Sequence, residues 1–155
     1  MKLYSQRLAC TLVPYQSTDD GTQSLTLEFA QRLSGGAGQY DWQNKVCISI
    51  RSVDVWTWLA CMVYGRPGHW YNGKTGYSLL FNLDKQNLPN NSLLTGQYQV
   101  GVRHSSQQSN IWWLPVREGD CFRLQSFVLG LVAQNAHLSP GEVMSMLAVN
   151  RPVLA

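Results

Sequence analysis

Residues 45–51 constrain the fold most, because polar or small and apolar side chains alternate along them. Val46, Ile48 and Ile50 form the apolar set, and the other set is Lys45, Cys47, Ser49 and Arg51. Successive side chains of a strand point to opposite faces of its sheet. One face is therefore predicted to be core and the other open. An open face with basic and small polar groups is suited to a ligand.

A helix is predicted directly after this strand. Ser52 is the expected N-cap, Asp54 lies in the first turn, and Gly65 is a natural residue to end the helix. The apolar residues expected on its core-facing side, which follow helical spacing, are Val53, Trp56, Leu59, Ala60 and Val63.

Elsewhere the patterns predict mostly strands first and helices last. Alternation indicates strands over residues 8–12, 25–29, 77–83, 97–104 and 111–116, and Asn72-Gly73 is a strong hairpin signal. Helices are predicted over residues 118–136 and from the Ser139 cap to residue 149. The prediction is an α+β domain over residues 1–137 and a short helical tail over residues 138–155, giving a C-terminal helical pair.

The composition indicates a surface covered by subunits or by a planar ligand. Charged residues make up 14% of the chain, well below the usual quarter, yet it has six Trp and seven Tyr. The four cysteines lack metal-site spacing and are expected to be reduced. No signal peptide or membrane-spanning run is recognisable, which favours the cytoplasm, or an organelle if the chain is a mature form. We expect no cofactor, no metal and no membrane partner.

Three segments share their order and spacing with a known family. They are residues 40–42 (YDW) before the strand and helix described above, residues 76–83 (GYSLLFNL), and residues 113–116 (WLPV) before the long apolar helix. Over residues 6–137 this order resembles the Whirly fold, a family of single-stranded nucleic-acid-binding proteins. The resemblance implies two antiparallel β-sheets packed roughly perpendicular, backed by helices that assemble a cyclic homotetramer.

The resemblance also implies a function without catalysis. Such a protein binds single-stranded DNA with little sequence preference. RNA is the nearest alternative ligand, because the family includes guide-RNA-binding proteins. A protein–protein interaction module is an alternative from another class. Salt distinguishes it, since only phosphate contacts make the affinity fall steeply as salt is added.

A sequence-tolerant binder needs cations for phosphates and aromatic rings for bases. Outward strand positions and the segment around residue 72 supply both. The predicted binding residues are Arg7, Arg32, Lys45, Trp70, Tyr71, Lys74, Tyr77, Gln97, Gln99, Arg103 and Trp113. Packing in the core is the alternative for Trp70, Tyr71 and Tyr77. Strand parity assigns Trp112 to the core with Leu114 and Val116, which leaves Trp113 as the stacking platform.

The helix predicted over residues 118–136 is apolar nearly all round, which indicates burial on more than one side. A second subunit is expected to cover one side. The predicted interface residues are Phe122, Val128, Leu131 and Val132.

Catalytic signals are weak. The three histidines, His69, His104 and His137, are scattered, and no nucleophile motif, metalloprotease motif or phosphate loop is recognisable. The sequence therefore predicts no catalytic residue, and we expect the protein not to be an enzyme.

Overall fold

The fold is α+β, with two four-stranded antiparallel sheets and three helices. The computed structural model describes residues 1–35, 38–84 and 97–150. Sheet 1 has the order β1 (Lys2–Tyr4), β2 (Leu8–Gln16), β3 (Gln23–Gln31), β4 (Val46–Ile50). Sheet 2 has the order β5 (Gly68–Asn72), β6 (Tyr77–Asp84), β7 (Gln97–His104), β8 (Trp112–Val116). The helices are α1 (Ser52–Tyr64), α2 (Glu118–Ala136) and α3 (Pro140–Val149). The predicted fold class and element order are confirmed.

The alternation in β4 has the predicted consequence. Val46, Ile48 and Ile50 are buried, while Cys47 and Ser49 are only partly covered on the opposite face. β4 pairs with β3, where Ile48 faces Leu27. The inner faces of both sheets and parts of all three helices form one hydrophobic core.

One prediction about α1 was wrong, and a second was right only in part. The N-cap is Arg51, which has extended backbone angles and makes no side-chain capping bond, so Ser52 is already helical. Of the predicted core-facing residues, Leu59 is buried, Trp56, Ala60 and Val63 are partly buried against the core, and Val53 is exposed. The other buried residues of the helix are Val55, Trp58 and Met62. Apolar side chains occupy most positions of this helix, so its sequence periodicity does not select one face. Gly65 does end the helix, in a left-handed conformation with φ 67°.

Of the four interface residues predicted on α2, only one is exposed on the surface of the protomer. Val128, Leu131 and Val132 are buried inside the protomer and belong to its own core. Their burial needs no second subunit, because α2 packs against α1 and β3 of the same chain. Phe122 differs, since 74% of its surface is exposed.

α3 begins with the capping box that the sequence predicts. The backbone N–H of Glu142 donates to Ser139 Oγ, and the backbone N–H of Ser139 donates to Glu142 Oε2 over 2.7 Å. Val143 and Leu147 are buried in the common core. Residues 151–155 of the predicted tail lie outside the described part of the chain.

Candidate nucleic-acid interface

The strand register brings several predicted binding residues onto one surface of sheet 2. In β7, Gly101 pairs with Leu80 of β6 and with Trp113 of β8. Side chains that share the face of these three residues point away from the core, because the alternate positions are buried. We call this surface the outer face of sheet 2. Its residues with described side chains are His69, Tyr71, Ser78, Leu80, Asn82, Gln99, Arg103, Trp113 and Pro115.

The two adjacent tryptophans of β8 point to opposite faces, as predicted. Leu114 and Val116 are buried, and Trp112 packs against the core. Trp113 instead crosses the outer face above Gly101 of the neighbouring strand. A Cβ atom on Gly101 would lie 2.7 Å from Trp113 Cε3, which is closer than real contacts allow. The absence of a side chain at Gly101 therefore lets the Trp113 ring lie across β7.

A shallow groove of about 340 Å³ lies beside the Trp113 ring. Its lining residues are Pro67, Gly68, His69, Leu80, Phe81, Asn82 and Trp113. The floor comes from β6, while Trp113 and the start of β5 form the two walls. An aromatic wall and an aliphatic floor make this groove suitable for a flat, apolar group.

Arg103 supplies positive charge on the same face. It lies on β7 two residues from Gly101 and has no ion-pair partner among the described residues. None of the described side chains of the outer face of sheet 2 is a carboxylate. Among the described side chains of that face, a phosphate approaching Arg103 therefore meets no carboxylate.

Lys45 lies elsewhere, next to sheet 1, and is already paired. Its Nζ donates to Glu28 Oε1 over 2.6 Å. This bond raises the pKa of the Lys45 ammonium group above its ordinary value. A phosphate at Lys45 must therefore share the cation with Glu28 or displace it.

The β5–β6 hairpin connects the outer face of sheet 2 to sheet 1. Asn72 Oδ1 accepts from the backbone N–H of Lys74 over 3.0 Å, and Asn72 Nδ2 donates to the Ser49 carbonyl over 3.1 Å. The first bond shapes the turn and the second fixes the hairpin to β4. The predicted Asn72-Gly73 signal thus marks a real turn, whose left-handed glycine is Gly76 with φ 73°.

A large cleft of about 1140 Å³ opens between this hairpin and one end of sheet 1. Three predicted residues, Trp70, Tyr71 and Lys74, contribute to its lining. Tyr71 is 61% exposed, lines the cleft and has the strand parity of the outer face of sheet 2. On the sheet 1 side the lining includes Thr26 and Ser49, whose hydroxyl oxygens lie 2.8 Å apart.

The charges around the cleft are mixed. Asp19, Asp20 and Asp54 line it together with Arg51 and Lys74. Arg51 Nε donates to Asp54 Oδ2 over 2.9 Å, which raises the pKa of the guanidinium group. Hydrogen bonds from Thr22 lower the pKa of Asp20. The cleft therefore offers aromatic rings and hydroxyl groups to a ligand. It also offers the Lys74 ammonium group, which has no ion-pair partner among the described residues.

The other predicted residues are dispersed. Trp70 is only 8% exposed and packs on Trp58, with ring centroids 6.3 Å apart. Tyr77 shares the inner face of sheet 2 and contacts His104 at 4.8 Å between ring centroids. Gln97 shares strand parity with Gln99, but its side chain lies outside what the structure describes.

Two predicted cations lie together at the far end of sheet 1 from the cleft. The backbone N–H of Arg32 donates to the Arg7 carbonyl over 2.9 Å, and both residues are exposed. Tyr40 is close by, because Arg32 forms a bridge with it. The interface predicted as one set is therefore divided between two ends of the molecule.

Sequence reasoning missed Tyr15, an exposed tyrosine that lines the cleft. Its position pairs with Ser24 at the end of the β2–β3 hairpin. The signal was present, because Tyr15 continues the outward alternation of β2. It lies beyond the predicted strand over residues 8–12, whereas β2 extends to Gln16.

The cysteines show no reactive site. All four are free, and burial raises the pKa of each thiol above its ordinary value. Within the described ranges, no group of three or more His, Cys, Asp or Glu residues is arranged to hold a metal ion. The described helices are too short or too polar to span a membrane.

Three solved structures share this fold. WHY1 from Arabidopsis thaliana has a TM-score of 0.59 and 16% sequence identity, covering 100% of this chain and 95% of its own. WHY3 from Arabidopsis thaliana has a TM-score of 0.61 and 16% identity, covering 97% and 96%. PBF-2, a plant transcriptional regulator, has a TM-score of 0.58 and 15% identity, covering 100% and 89%. Identities this low show the fold alone.

No protein-family model matches the chain, and no curated protein matches it.

Proposed function

Because this chain has the Whirly fold, we propose that it binds single-stranded DNA with little sequence preference and is not an enzyme. The observation that carries the proposal is the outer face of sheet 2, where Tyr71, Gln99, Arg103 and Trp113 share one surface. Aromatic rings and cations on a sheet are the groups that sequence-tolerant binding of single strands requires.

The binding groups have distinct roles. Trp113 and Tyr71 stack on unpaired bases, and every base has a face that accepts such contact. Arg103 and Lys74 neutralise phosphates, and the amide of Gln99 contacts sugars or base edges. Nucleic acid of any sequence supplies these partners, so the preference for particular bases is weak. A matched duplex hides its base faces and is bound less well.

We also propose that the protein assembles as a homotetramer, as the Whirly resemblance implies. Within one protomer the described part of α2 leaves the Phe122 ring largely uncovered. Contact with a second subunit would remove this ring from water. Phe122 is therefore the interface residue that we retain from the four that the sequence predicts.

Fluorescence anisotropy tests the function. The probes are a fluorescein-labelled 30-mer of dT, a mixed-sequence 30-mer, the matched duplex of the latter and its RNA equivalent. We expect similar affinities for the two DNA strands and weaker binding of the duplex. We also expect the affinity to fall as salt rises from about 50 to about 200 mM, with a slope of log affinity against log salt that corresponds to several phosphate contacts. Equal affinity for the duplex contradicts the proposal.

The same titrations separate the alternatives. Tighter binding of the RNA strand would reassign the ligand to RNA. If the protein binds neither DNA nor RNA at low salt, the aromatic surface is better explained as a protein–protein interface, whose affinity depends far less on salt.

A further inference from the structure

We propose that the groove beside Trp113 is a pocket for one unpaired nucleobase, held against the Trp113 ring. The inference rests on the proposed function and goes beyond it, because it assigns one base per protomer to a defined place. The lining of the groove includes Trp113, Leu80, His69 and Asn82.

The size of the groove sets what it holds. Its volume of about 340 Å³ is near the lower limit of roughly 300 Å³ for small-molecule sites. One wall is β5, and the other is the Trp113 ring, which extends from β8 over Gly101 of β7. Two strand spacings, about 10 Å, therefore separate the walls. That space is wide enough for a ring system stacked on the Trp113 ring.

The chemistry of the groove also favours a base. Leu80 is a partly covered apolar side chain on an otherwise mostly polar face. A base laid over it removes apolar surface from water while the Trp113 ring supplies a stacking face. Asn82 also lines the groove and adds a polar amide to it.

The charge next to the groove completes a nucleotide site. Arg103 lies two residues from Gly101 on β7, about 7 Å along the strand. The phosphate attached to a base in the groove therefore lies within reach of the Arg103 guanidinium. An apolar peptide side chain would fill the groove equally well, but it would make no use of Arg103.

Gly101 makes the pocket testable without removal of the tryptophan. A methyl group at this position would lie 2.7 Å from Trp113 Cε3 and 2.9 Å from Cζ3. Gly101→Ala therefore forces the Trp113 ring to move away from its position over β7. Gly119→Ala is the matched control, because a Cβ there meets nothing within 4 Å.

The experiment compares two labelled probes, a 30-mer of dT and an abasic 30-mer that has the same phosphates but no bases. We expect Gly101→Ala to weaken binding of the dT strand by about 5- to 150-fold, the range of one lost stack. Binding of the abasic strand should stay unchanged, and Gly119→Ala should change neither affinity. Trp113→Leu should reproduce the loss without adding atoms near Gly101, which covers the case in which Gly101→Ala fails to fold.

Two results overturn the pocket. Folded variants at Gly101 and Trp113 that keep the full dT affinity would show that no base lies there. Equal losses on the dT and abasic strands would show that the ring supports the backbone contacts instead. Both results leave DNA binding by the wild-type protein intact, whereas a wild-type protein that binds neither probe overturns the proposed function together with the pocket.

Discussion

Lys45 Nζ lies 2.6 Å from Glu28 Oε1, so one of the cations predicted to bind phosphate already has an acidic partner. The pair is partly exposed, and such pairs contribute little to the free energy of unfolding. Its effect on binding is larger, because the carboxylate repels an approaching phosphate. Arg103 has no such partner among the described residues.

The two cations should therefore respond differently to removal. We expect Arg103→Ala to reduce the slope of log affinity against log salt by about one unit, as for one lost phosphate contact. Lys45→Ala should reduce the slope less, and Glu28→Gln should raise the affinity because it releases Lys45. Anisotropy titrations with the dT strand at several salt concentrations measure all three. Equal slopes for the Lys45 and Arg103 variants would show that DNA displaces Glu28.

Charges placed on α2 distinguish the protomer core from the subunit interface. Val128 is fully buried, so Val128→Asp should unfold the protomer, with a loss of about 4 kcal/mol or more. Phe122→Asp should preserve the fold and separate the subunits, because the ring is exposed in the protomer. Circular dichroism measures folding, and light scattering measures the assembly. A wild-type protein that is a stable monomer at micromolar concentration would refute the tetramer.

Most elements of this fold were predictable because their strands have one buried face, whereas the short strands β1 and β5 were not predicted. Ile48 and Leu27 face each other in the core, and period-two patterns reveal such positions. The buried side of α1 was not predictable in the same way. Its apolar side chains surround the helix, and only its packing against α2 and the sheets decides that Trp58, rather than Val53, is buried.

The candidate site was predictable only in part, because distant pairings determine it. Strand parity correctly separated Trp112 from Trp113. Nothing in the local sequence shows that Glu28 forms a salt bridge with Lys45, or that Gly101 lies beneath the Trp113 ring, because these partners are distant in the sequence. Tyr77 illustrates the same limit, as its side depends on the length of the turn after Asn72.

Asn72 is expected to hold the hairpin in place. Asn72→Ala removes the bond to the Ser49 carbonyl and the bonds that order the turn. We expect a loss of about 1–2 kcal/mol in the free energy of unfolding, measured with urea. We also expect weaker DNA binding, because Tyr71 and Lys74 lie on this hairpin. Asn44→Ala is the control, since the exposed Asn44 side chain donates to the nearby Asp41. An equal loss of stability in both variants would contradict this role of Asn72.

The stabilisation that the capping box gives to α3 should depend on pH. Hydrogen bonds from the backbone and side chain of Ser139 lower the pKa of Glu142 from 4.5. A carboxyl whose pKa is lower in the folded state stabilises that state above pH 4.5, and this contribution disappears as the pH falls through the folded pKa. We therefore expect wild type to exceed Glu142→Gln in melting temperature at pH 7, with a difference that shrinks steadily toward pH 3. Thermal unfolding monitored by circular dichroism measures both proteins in parallel, so that titration of the other carboxyl groups cancels. A difference that stays constant over this range would show that the charge of Glu142 does not stabilise α3.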